Sequence, residues 1–68
     1  MFNYTETAKT AALKFAGYNR VMCQYAIKDC HETLKNHEHD SDYGKKLWVE
    51  IDAARDRLMK IERNRDER

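Results

Sequence analysis

No proline occurs in these 68 residues and glycine stands only at Gly17 and Gly44, so the chain carries almost none of the punctuation that strands and hairpins need. An all-α fold follows. Leu13, Ala16, Arg20, Cys23, Ile27, Cys30 and Leu34 recur at alternating steps of three and four, an amphipathic seam interrupted only by Arg20. Tyr43, Leu47, Ile51, Ala54, Leu58 and Ile61 form a second, tighter stripe, flanked by Trp48 and Met59. Residues 36–40 have no apolar side chain, and Ser41 or Asp42 can accept hydrogen bonds from the free amides that open a new helix. The spacing predicts a helix over about 5–35, a turn over 36–41 and a helix over about 42–63, folded as an antiparallel two-helix hairpin. Residues 1–68 read as one domain whose charged end, about 63–68, is expected to fray. Gly17 is the point where the first helix can break, because an interior glycine costs a helix about 1 kcal/mol relative to alanine. A break there makes three helices.

Only 11 of the 68 residues are Ile, Leu, Val or Phe, so a lone chain excludes barely enough apolar area to offset its ordering entropy. The first helix also has too wide a greasy face for one neighbour. Ala11, Ala12, Phe15, Ala16, Tyr18, Met22, Cys23, Tyr25, Ala26, Ile27, Cys30 and Leu34 fall on an arc of roughly 200 degrees. A second copy solves both problems, and the expected assembly is a homodimer, an antiparallel four-helix bundle with two-fold symmetry.

Charge and composition exclude several classes. Thirteen Lys and Arg against twelve Asp and Glu give a net charge of +1, without the strong field that steers nucleic acid. The opening Met1–Glu6 has no basic start followed by an apolar run, and no stretch approaches the roughly 20 apolar residues of a membrane span. A cytoplasmic location is the default, and two thiols seven residues apart on one helix, roughly 10 Å in rise, are too distant for an intrachain disulfide. Cys23, Cys30, His31, His37 and His39 lack the paired spacing of a zinc site, so no metal or other cofactor is expected. Cys30 and His31 diverge by about 100 degrees on a helix, and Asp52 and Asp56 stand beside Arg55 and Lys60, so neither pair reads as catalytic machinery. The chain is not expected to be an enzyme.

Two functional expectations remain. Phe15, Tyr18, Met22, Tyr25, Trp48 and Met59 are the aromatic and methionine types that protein interfaces favour, which points to a protein-binding regulator, adaptor or inhibitor masking a partner surface. This is the style of small regulators carried by phages and plasmids. The alternative is an RNA- or DNA-binding regulator that uses Lys14, Arg20, Gln24, Lys28 and Lys35 on one face of the first helix. In length and expected architecture the chain is similar to Rop, a plasmid RNA-binding protein that is an antiparallel dimer of helical hairpins. Residues 13–20 also resemble the turn of a helix-turn-helix in having a glycine after a first helix, although Leu13 stands where that motif places a small residue.

Overall fold

Three short polar side chains decide where helices begin. In the computed structural model, which describes residues 2–66 with side chains through Arg63, Asn3 Oδ1 accepts from the Glu6 amide at 3.0 Å and opens α1, Tyr4–Phe15. Asn19 Oδ1 accepts from the Met22 amide at 2.9 Å and opens α2, Arg20–Leu34. Ser41 Oγ accepts from the Gly44 amide at 3.0 Å and opens α3, Asp42–Asp66. Each satisfies an amide that the first helical turn leaves without a partner. The chain is all-α, and no strand occurs among the described residues.

The single helix expected over 5–35 is two helices, and the two-helix hairpin is therefore corrected to three helices. Asn19 is the reason the chain stops at residue 15 and restarts at residue 20. Its extended backbone (φ −87, ψ 179) ends the helical path while its side chain caps the next one. The Ala16 amide bonds back to the Leu13 carbonyl at 3.4 Å and the Tyr18 amide to the Phe15 carbonyl at 3.0 Å, tightening the last turn of α1. Arg57 Nε donates to the Tyr18 carbonyl at 3.1 Å and ties the turn to α3. Gly17 takes no positive φ, and a methyl there would meet nothing, so it permits the break by its weak helical preference without being sterically required. With three helices in each chain, two copies would bring six helices together, so the expected four-helix bundle and the likeness of form to Rop no longer follow.

The break also resets the helical phase. Leu13 and Ala16, on the expected seam, are exposed, with Leu13 at 79%, while Ala11 and Phe15 turn inward instead. Beyond Asn19 the seam holds: Cys23, Cys30 and Leu34 are buried and Ile27 packs among them. The stripe on α3 supplies the other side of the core with Leu47, Ile51 and Ala54. One cluster joins Cys30, Leu34, Leu47 and Ile51, a second joins Ala11, Phe15 and Ala54, and Ile27 packs against both. Helix α3 runs through Asp66, past the expected end near 63. Residues 67–68 of the expected frayed tail lie outside the described residues.

Contacts along α3 fix the topology. Lys14 meets Glu50, Phe15 packs with Ala54 and Tyr18 meets Arg57, so α1 runs in the same direction as α3. Arg20 meets Glu62, Cys30 meets Glu50 and Leu34 packs with Leu47, so α2 runs the opposite way. Helices α1 and α2 thus lie side by side on α3. The body measures 43 × 24 × 15 Å between Cα extremes. With packed helix axes about 8–10 Å apart, that thickness accommodates only two layers.

Between α2 and α3, residues 35–41 fold back over the start of α3. Gly44 is buried there against the Glu38 carbonyl and the His39 backbone, too close for any side chain. The His37 ring lies edge-on to Tyr43 at 4.7 Å, and His31 and His39 lie edge-on to Trp48 at 5.9 and 5.5 Å.

Candidate functional site

Because α1 and α2 each pack on α3 more than on each other, a groove of about 440 Å³ opens between them. Phe15 and Tyr18 close it on the α1 side, Leu47 and Glu50 form its floor on α3, and Met22, Tyr25 and Asp29 line its α2 wall. Met22 is 45% exposed and Tyr25 67% exposed. The Phe15 and Tyr18 rings meet edge-on at 4.9 Å, which holds the closed end of the groove in one arrangement.

The polar content of the groove is small and local. Lys14 Nζ lies 3.5 Å from Glu50 Oε2, and the Cys30 thiol points at Glu50 Oε1 from 4.0 Å. Burial raises the Cys30 thiol above its ordinary value, and the Glu50 carboxylate raises it further, against a smaller opposing pull from Lys14. Burial likewise raises Cys23, with Arg57 pulling the other way. Both thiols therefore stay protonated and behave as small apolar groups. Cys23 and Cys30 are free and buried, and His31 is on the far side of α2, edge-on to Trp48. Among the described residues no three of His, Cys, Asp and Glu converge as a metal would require. Asp52 is exposed, and Asp56 pairs with Lys60 at 3.4 Å one turn along α3.

The six residues expected at an interface divide into three groups. Phe15, at 2% exposure, belongs to the chain's own core and reaches the surface only as the closed end of the groove. Tyr18 is half-buried against it, and Met22 and Tyr25 stand at the lip of the groove. Trp48, 40% exposed, and Met59, 61% exposed, lie on α3 outside the groove. Of the five candidate nucleic-acid residues, Arg20, Gln24, Lys28 and Lys35 share one exposed side of α2, and Lys14 stands apart from them. Lys14 is on α1, paired with Glu50, and Arg20 Nε lies 3.8 Å from Glu62. Gln24, Lys28 and Lys35 are exposed along and just beyond α2, with Lys28 and Lys35 in no ion pair among the described residues.

Glu50 and Arg57 were not singled out from the sequence. Both belong to the charged surface of a solvated helix in a two-helix reading, and only the turn at 16–19 brings α1 down onto them. The signal was present in Asn19, a capping residue two places after a glycine.

No helix among the described residues is long and apolar enough to cross a membrane. Comparison with known proteins gives no relative on which to rest a function: no family model, no curated protein and no solved structure matches the chain.

Proposed function

We propose that the chain is a small, non-enzymatic protein-binding regulator, adaptor or inhibitor that acts by masking a surface of its partner. The observation that carries this reading is the pair Met22 and Tyr25, large and exposed beside a preformed groove whose aromatic end is fixed by Phe15 and Tyr18. A tyrosine supplies large contact area with little ordering cost, a methionine adapts its flexible thioether to the surface it meets, and both types are enriched at protein interfaces. Trp48 and Met59 add exposed area elsewhere on α3. The pairing of Lys14 with Glu50 and of Arg20 with Glu62 weighs against the nucleic-acid reading, because both cations already have acidic neighbours.

The experiment is affinity capture from host lysate with the wild-type chain, with Trp48→Ala and with Lys28→Ala, each with and without nuclease. A protein that is retained after nuclease treatment, is lost with Trp48→Ala and is indifferent to Lys28→Ala is the expected outcome. Capture that disappears with nuclease and with Lys28→Ala contradicts the proposal.

A further inference from the structure

We infer that the groove between α1 and α2 receives a cationic side chain of the partner protein, an arginine, among the aromatic rings and carboxylates that line it. The inference rests on the reading of Met22 and Tyr25 as protein contacts and names the group that enters beside them. Charge, aromatic lining and a cation of the chain itself carry it.

The groove is opposite in sign to the chain as a whole. Asp29 and Glu50 are its acids and Lys14 is its only base among the described residues, which leaves it at −1 in a chain of net charge +1. The Glu50 side chain is only 12% exposed, and its one cation, Lys14 Nζ, stands 3.5 Å from Oε2 on a side chain that is 51% exposed. A largely desolvated carboxylate thus leans on a half-solvated ammonium at the long end of hydrogen-bonding range, and a second donor improves its position. Asp29 is exposed and takes part in no ion pair among the described residues. Burial raises the Cys30 thiol most, and Glu50 and Asp29 both raise it further, so the two carboxylates act on the same stretch of the groove wall.

The rings select the kind of cation. Phe15, Tyr18 and Tyr25 bring three aromatic side chains to one cavity of about 440 Å³. An aromatic face attracts a cation within about 6 Å of its centre. Lys14 already obeys that rule, with Nζ 5.4 Å from the centre of the Phe15 ring while it pairs with Glu50. This ammonium serves only the α1 side. On the α2 side, Tyr25 and Asp29 stand one helical turn apart with no cation of the described residues between them. A guanidinium suits that position better than an ammonium, because its plane stacks on a ring, its donor fork grips a carboxylate and it sheds water more readily. The apolar stem of an arginine then lies along Met22 and Leu47. Met22 and Tyr25, exposed at the lip, meet the surface from which that side chain projects, so the cation belongs to a protein and not to a free amine.

NMR of the isotopically labelled full chain, titrated with acetyl-Gly-Arg-Gly amide, tests this. Peptides with norleucine or citrulline in place of arginine supply an apolar and a neutral polar stem, and circular dichroism follows the folding of each variant. The arginine peptide should shift the Tyr18, Met22 and Tyr25 signals saturably and leave Trp48 unmoved, and neither control should do so. Asp29→Asn, on an exposed side chain, should keep its helicity and weaken binding about tenfold, the loss expected when a charged acceptor is removed. Asp52→Asn, an exposed acid outside the groove, should leave binding unchanged. Lys14→Met should tighten binding severalfold, because it removes the cation that competes for Glu50 and Phe15, a gain that a merely structural role of Lys14 does not give. Groove signals that stay still, that follow norleucine as strongly as arginine, or that respond equally in Asp29→Asn and Asp52→Asn overturn the inference. So does a chain of about twice 8.1 kDa whose Tyr25 is covered by a second copy and closed to the peptide. Failure here is distinct from failure of the regulatory reading. A protein captured through Trp48 by a chain that binds no arginine overturns only the arginine, and an arginine-binding chain that captures no protein overturns only the regulator.

Discussion

Phe15 and Met59 illustrate how little residue type alone decides. Both are large and apolar, yet one is 2% and the other 61% exposed, because only Phe15 turns onto Ala54 when α1 ends where it does. Phe15→Ala should cost about 3–5 kcal/mol in a urea melt, enough to unfold a chain this small, whereas Met59→Ala should stay within about 0.5 kcal/mol. A Met59→Ala loss as large as that of Phe15→Ala would mean the packing of α1 on α3 is misassigned. The two thiols give a second test at this scale. Folding raises both above their ordinary value of 9.0, so the native chain binds protons more tightly than the unfolded one in alkali. Their contribution to stability is complete below that pH and is lost as pH rises through the folded values. Urea midpoints should therefore fall between pH 8 and pH 10.5, and the fall should be smaller in Cys23→Ala. A thiol reagent at neutral pH should label Cys23 and Cys30 only as fast as the chain opens.

The helical stretches of α2 and α3 were legible in the sequence because each keeps one periodic stripe, but the start of α2 at Arg20 was not, because its seam continues the spacing of residues 13 and 16 across the turn. Cys23, Ile27, Cys30 and Leu34 pack as their spacing requires, and Ser41 caps the helix it precedes. The first helix was not legible, since Leu13 and Ala16 continue the same spacing by coincidence across a turn, and periodicity carries no information on where a helix is interrupted. That information is in Asn19 and Gly17, and only Gly17 was weighed. The groove was hidden for the same reason: its α1 wall exists only once the chain reverses. The two glycines should respond oppositely to alanine. Gly44→Ala puts a methyl into the Glu38 carbonyl and should lower stability by more than about 2 kcal/mol, through a backbone shift of residues 38–39. Gly17→Ala meets no atom and should be neutral or stabilise by up to about 1 kcal/mol. Thermal melts of the two variants side by side measure this, and equal losses would contradict the placement of the 35–41 segment.

At the scale of the whole molecule, the proposed protein-binding function and the net charge of +1 make a prediction about contact with phosphate. Fluorescence anisotropy with labelled RNA and DNA should find no complex tighter than micromolar at physiological salt. A nanomolar complex whose affinity falls with a log-log slope of about −0.7 to −0.9 per phosphate contacted, and which Lys28→Ala weakens, would favour the nucleic-acid reading instead. The groove depends on one event, the reversal of the chain at residues 16–19. Solution NMR of the full-length chain tests that event most directly, through backbone shifts over 13–22 and contacts between the Phe15 ring and the Ala54 methyl. The account predicts non-helical shifts at Tyr18 and Asn19 together with a strong Phe15 to Ala54 contact within one chain. Helical shifts running without interruption from residue 5 to residue 35, with no such contact, would contradict it.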